Sequence, residues 1–263
     1  MIRLLIIFFI LCTFVVLVDC SYDPSRRVPV PWAITLNQGT RTTSIRSFYA
    51  TNRYVIVGGN SRDYIYQNNR FPSNSEPFFV GVYQTVTGRL EWGVQFGFAS
   101  ANTYLSSIVG DDQFAYALVT GTGRVYQASS GLNDICVSKM GRVGGQGGKL
   151  EWGVQHGTSA NEIGVKILVD TTGVYVVGST EGSLYGPNKG LKDVFLMKVG
   201  LDGQFLWGVQ QGSDVDDTPL DLVLSTIGGR KTVEIIGLSG KLYEDLSFAS
   251  KLFKAVFDRT SGN

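Results

Sequence analysis

The amino-acid sequence predicts an all-β fold, a β-propeller of four four-stranded blades. Three observations predict it. First, the segment GKLEWGVQHG at 148–157 recurs as GRLEWGVQFG around Trp92 and GQFLWGVQQG around Trp207, with a worn copy, VPVPWAITLNQG, around Trp32. These are the four tryptophans of the chain, roughly 55–60 residues apart, and a fixed period of that size marks a repeat architecture. Second, short runs rich in Val, Ile, Phe and Tyr, punctuated by Gly, Asn and Asp, fill each interval, which is the strand-and-turn pattern. Third, the two ends are complementary. The last repeat lacks a tryptophan strand, and the first tryptophan strand has no partners before it.

Residues 1–20 stand apart from the repeats. Met1, Ile2 and Arg3 precede an unbroken apolar run over 4–18, then Asp19, Cys20 and Ser21. The run is short for a bilayer span of about 20 residues and reads as a secretory signal peptide cleaved after Cys20. An uncleaved anchor and lipidation of Cys20 are the alternatives. After signal removal no membrane span is expected, and the expected location is secreted, extracellular. Cys12 and Cys20 leave with the signal, so Cys136 stays alone in an apolar run as a small buried residue, and stability rests on burial rather than a disulfide. Residues 21–28 form a polar tether, and 29–263 the propeller.

The strands follow in order. The first repeat has runs at 44–50, 54–59, 77–84 and 89–95; the second at 104–110, 114–121, 134–140 and 149–155. The third has runs at 165–170, 174–180, 193–200 and 204–210; the fourth at 220–226, 232–238 and 251–257. Pairing the strand at 28–36 with the last repeat would complete its sheet and close the ring, protecting the exposed seam. Pro29 and Pro31 support an edge position there, since proline cannot donate to a ladder. In LEWGVQ, Leu90, Trp92 and Val94 alternate with Glu91, Gly93 and Gln95, so the indoles should pack between adjacent blades.

W-G-V-Q-x-G, a polar loop, V-D-x-x-G-V-Y-V-V-G-S-T and then D-V-F-L-M-K-V-x-x-D-G resembles the SBBP-type β-propeller repeat family. The match is strongest over 165–212, good over 104–157, and weaker over 30–97 and 214–258. The resemblance implies a secreted or cell-surface propeller and supplies no catalytic residue.

Candidate chemistry is sparse. Lysine plus arginine total 23 against 22 acidic residues, so no basic footprint for nucleic acid is expected. His156 is the one histidine and occupies a variable loop position, taken by Phe96 and Gln211 in the sister copies. Asp214, Asp216 and Asp217 are candidate calcium ligands, weighed against a solvated turn, since Asp and Asn favour turns and the sister loops carry Asn102 and Asn161. No other cofactor is expected. GGQGG at 144–148 lacks the lysine of a phosphate loop and reads as a lengthened hairpin. The loops after the second strands carry Tyr66, Tyr126, Tyr185 and Tyr243, and the first adds Tyr64, Arg70 and Phe71. Repeated aromatics of this kind suit a sugar ring or a protein partner, against packing under their own loops. The reading is a non-catalytic binding or structural module for extracellular glycan or protein, monomer or dimer. The rival is a hydrolase or lyase with its site at the central channel.

Overall fold

The computed structural model describes residues 43–66, 75–98, 101–143, 146–240 and 251–262, and the backbone of three further strands near the amino terminus. Those three are β1 (Arg3–Phe8), β2 (Phe14–Asp19) and β3 (Ala33–Thr35). Then come β4 (Thr43–Ala50), β5 (Tyr54–Ser61), β6 (Phe78–Gln84) and β7 (Leu90–Phe96) as one antiparallel sheet. β8 (Thr103–Gly110), β9 (Phe114–Thr122), β10 (Asn133–Val143) and β11 (Gln146–His156) form the second. β12 (Glu162–Asp170), β13 (Gly173–Thr180), β14 (Asp193–Val199) and β15 (Phe205–Gln211) form the third, and β16 (Asp217–Ile227), β17 (Arg230–Ser239) and β18 (Lys251–Asp258) the last. All the strands expected between residues 44 and 257 are present, and among the described residues every regular element is a strand.

The arrangement is propeller-like. Within each sheet the strands run in sequence order from first to fourth, and the first strands pack successively, β4 on β8, β8 on β12 and β12 on β16. β13 and β14 lie between neighbouring sheets on both faces, and β5 packs on the second sheet with one face and on Tyr66, Phe79 and Tyr83 of its own sheet and loop with the other. All three are buried along their whole length, which is why they read as continuous apolar runs rather than alternating ones. Register repeats as well. Each first strand carries an irregularity at the same place, between Ile45 and Ser47, Leu105 and Ser107, Gly164 and Lys166, and Pro219 and Asp221.

The fourth strand is the outer edge of its sheet, and its indole reaches the next sheet. Trp92 lies on Gly147 and Gly148, where an added Cβ would come within 2.3 Å and 3.1 Å of it. Trp152 lies on Gly203 at 2.9 Å, and Trp207 on Gly262 at 2.7 Å. Gly148, Gly203 and Gly262 have φ of +84°, +89° and +75°, a backbone region suited to glycine. The glycine-rich hairpin around 146–148 is thus the plate for an indole.

The expected ring closure differs from what is observed. β3 pairs with β2 in the register Val15↔Thr35, Val16↔Ile34 and Leu17↔Ala33, and not with β18. The last sheet has three strands, and no packing comparable to that between β12 and β16 joins β16 back to β4 among the described residues. The physical reason lies in the apolar amino-terminal run, whose Val- and Leu-rich segment has high strand propensity and can pair with a free edge.

Trp152→Ala is expected to cost about 3–5 kcal/mol by leaving a cavity over Gly203. Chemical denaturation checks this, and a loss below about 0.5 kcal/mol, as for an exposed-loop substitution, would remove the indole from the intersheet contact.

Candidate functional site

The same construction recurs on the face of the fourth strand opposite the indole. Tyr66, Tyr126 and Tyr185 come from the loops after the second strands and lie flat on Gly93, Gly153 and Gly208. A Cβ at those glycines would stand 2.3, 2.4 and 2.5 Å from the rings. The glycine after Trp92, Trp152 and Trp207 is therefore required by a close approach.

The glutamine two residues further on ties the loop down. Gln155 Oε1 accepts from the backbone N–H of Val125 at 3.0 Å and of Tyr126 at 3.1 Å, while its Nε2 donates to Gly123 O at 2.9 Å and Asp134 Oδ2 at 2.6 Å. Gln210 repeats this with Leu184 N at 2.8 Å, Tyr185 N at 3.1 Å, Gly182 O at 2.9 Å and Asp193 Oδ2 at 2.9 Å. Gln95 accepts from Ile65 N at 3.1 Å and donates to Ser61 O at 2.7 Å and Asp63 O at 2.9 Å. These glutamines and aspartates are functional parts of the architecture that the sequence reading passed over. Their signal was present in the motif, where Gln follows W-G-V in three copies.

The tyrosines consequently pack within the molecule. Tyr66 is buried, its hydroxyl shares a hydrogen bond of 2.8 Å with that of Tyr83, and burial raises its pKa well above the ordinary value. Burial also lifts Tyr83, to about 12, and the phenols of Tyr126 and Tyr185. The Tyr185 hydroxyl points at Met197 Sδ, 3.0 Å away. These three rings act as spacers under their loops instead of a repeated contact surface. Tyr64, by contrast, is 63% exposed. Arg70, Phe71 and Tyr243 lie outside the described residues.

His156 sits beside Phe205 and Tyr185, with ring centroids 5.3 and 6.3 Å away, and burial lowers its pKa below 6.5. Cys136 is buried and free, and burial pushes its thiol up, as an inert core residue requires. Asp217 accepts from Ser213 N at 2.6 Å and Ser213 Oγ at 2.9 Å, so it closes its own turn. Asp214 is exposed and Asp216 half-buried, and among the described residues no group of three His, Cys, Asp or Glu is placed to hold a metal ion. On the first strands, Arg46 lies over the Tyr104 ring at 4.1 Å, and Lys166 pairs with Asp221 at 3.4 Å. A groove of about 250 Å³ runs between the third and last sheets, lined by Val194, Leu196, Val209, Phe253, Ala255 and Phe257.

No protein-family model matches the chain, and no curated protein is detectably similar in sequence. Among solved structures, Drosophila semaphorin 2a is similar at 9% identity and a TM-score of 0.40, over 86% of this chain and 48% of that one. A Bombyx mori β-fructofuranosidase in complex with sucrose is similar at 9% identity and a TM-score of 0.40, over 95% and 58%. A Trypanosoma rangeli sialidase in complex with sialic acid is similar at 9% identity and a TM-score of 0.43, over 98% and 47%. The chain spans roughly half the length of each.

Gln155→Leu would strip the acceptor from the backbone N–H groups of Val125, Tyr126 and Gln127 and a donor from Asp134. A loss of about 2–4 kcal/mol is expected, with faster hydrogen exchange over 123–127. A loss under about 1 kcal/mol with unchanged exchange would show that the loop is held by something else.

Proposed function

We propose that this chain is a secreted, non-catalytic propeller module of the SBBP type that binds extracellular glycan or protein through its variable loops. The observation that carries the reading is the use made of polar side chains. The repeated Gln95, Gln155 and Gln210 hold loops, Arg46 is stacked on Tyr104, and Lys166 and Asp221 face each other. An enzyme of the hydrolase or lyase kind would need acids, bases or a metal converging on one open point, and His156 and Cys136 are both turned into packing. With Tyr66, Tyr126 and Tyr185 spent as spacers, the contact surface contracts to the first loop, where Tyr64 stands out and Asp63 and Arg62 flank it.

The finer architecture that fits this reading is a four-bladed ring completed by residues 28–36 adding to β18. Three features support it. The last sheet is one strand short. Gly262 has the same positive φ as Gly203, at the place where the third sheet turns into its fourth strand. Trp207 Nε1 is buried without an acceptor, whereas Trp152 Nε1 donates to Leu201 O at 2.9 Å. A chain relieved of its apolar leader has residues 33–35 free for that pairing.

The test is a glycan array and a pull-down from extracellular fluid with the secreted form, repeated with Tyr64→Ala. Capture of a glycan or protein that weakens at least about tenfold in the variant, a change of about 1.4 kcal/mol, is expected. Turnover in a hydrolase panel with no captured partner would overturn the reading.

A further inference from the structure

Four acidic side chains are buried at two sheet junctions with no cation beside them. Asp134 and Glu162 are fully buried where the second sheet meets the third, as is Asp193 where the third meets the last, with Asp217 at 5% exposure. None of them joins an ion pair among the described residues. Their hydrogen bonds come from neutral donors. Asp134 Oδ2 accepts from Gln155 Nε2 and, at 3.0 Å, from Ser130 N. Glu162 accepts from Thr158 N, Thr158 Oγ1 and Thr180 Oγ1, each at 2.7 Å. The remaining oxygens, Asp134 Oδ1 and Asp193 Oδ1, are buried without a hydrogen-bond partner among the described residues. Burying a charge is costly unless it is paired or on a metal, and an orphaned buried oxygen calls for a water or an ion.

The geometry indicates where such an ion belongs. A Cβ on Gly157 would stand 2.0 Å from Asp134 Oδ1 and 3.0 Å from Glu162 Oε2, so the orphaned oxygen of one sheet and a carboxylate oxygen of the next converge beside a backbone with no side chain. Gly212 meets Asp193 Oδ1 at 2.0 Å, and the backbone N–H of Asp217 donates to Lys192 O, next to Asp193, at 2.8 Å.

The repeats supply an internal comparison. Where the first sheet meets the second, the equivalent positions are Pro77 and Thr103, and the Thr103 hydroxyl donates to Glu76 O at 2.6 Å. Both acids are present at two junctions and both are missing at the third. Loop holding does not require those acids, because Gln95 secures its loop through Ile65 N, Ser61 O and Asp63 O where Pro77 stands in the place of Asp134.

We propose that a divalent cation, calcium by its preference for hard oxygens, bridges Asp134 and Glu162 and so staples the second sheet to the third. Asp193 and Asp217 form the counterpart at the next junction, which moves the calcium assignment from the exposed turn at Asp214 and Asp216 into the fold.

The experiment is calcium titration of the secreted full chain by calorimetry, with thermal unfolding in chelator and in about 1 mM calcium chloride, a range typical of extracellular calcium modules. Two equivalents of calcium and a midpoint several degrees higher with calcium are expected. Asp134→Asn, which retains an acceptor for Ser130 N, should lose one equivalent, and Glu162→Gln should lose the same one. A wild-type midpoint that is identical in chelator and calcium overturns the proposal, as does an undiminished equivalence in both variants.

Discussion

An indole laid on a glycine turn joins each sheet to the next, and the rest of the molecule is arranged around that contact. Trp92, Trp152 and Trp207 each leave the outer strand of one sheet and cover the turn that leads into the outer strand of the following one, or its equivalent at Gly262. The same strand works on its other face. The glycine beside the tryptophan admits a tyrosine ring from its own sheet, and the glutamine two residues on fixes that ring's loop through backbone hydrogen bonds. One short strand therefore organises an intersheet contact and an intrasheet loop together. A large aromatic contributes most to burial when it is packed on both sides, which explains why the segment recurs while the loops around it vary.

The constraint also has a direction. Each sheet needs a turn from the next sheet as a plate for its indole, so a run of sheets ends with one plate and one indole unmatched unless the ends meet. The last sheet is the place where this shows. Its turn seats Trp207 on Gly262, but the indole N–H that should reach a turn carbonyl is left without one. Among the described residues no fourth strand covers β18, and Leu252 and Val256 are exposed along it. An uncovered apolar edge of this kind tends to recruit a strand.

Much of this was legible in the sequence. All fifteen strands from β4 onward followed from β-branched and aromatic runs between turn residues, and the alternation about Trp92 placed indoles between sheets. The glutamine and carboxylate roles were not, because they depend on which side chains meet across a hairpin. Gln155 and Asp134 are 21 residues apart and touch only once the register between β10 and β11 is set. For the tyrosines the sequence leaves two readings open, a contact surface or packing under their own loops, because periodic aromatics look alike whether they face solvent or a bare glycine. The pairing of β3 with β2 was missed because strand propensity says which segments can pair, not which of two free edges they choose.

The ring closure proposed above would set Ala33–Thr35 on β18, in the register of the third sheet. There Gly208, next to Trp207, faces Met197, and the position matching Met197 in the last sheet is Ala255, so Ala33 should face Ala255. The most direct measurement is oxidative trapping in the leaderless chain carrying Ala33→Cys and Ala255→Cys. A disulfide formed within monomers and absent from either single variant is the predicted result. Free thiols under oxidising conditions, or a bond formed only between two chains, would contradict it.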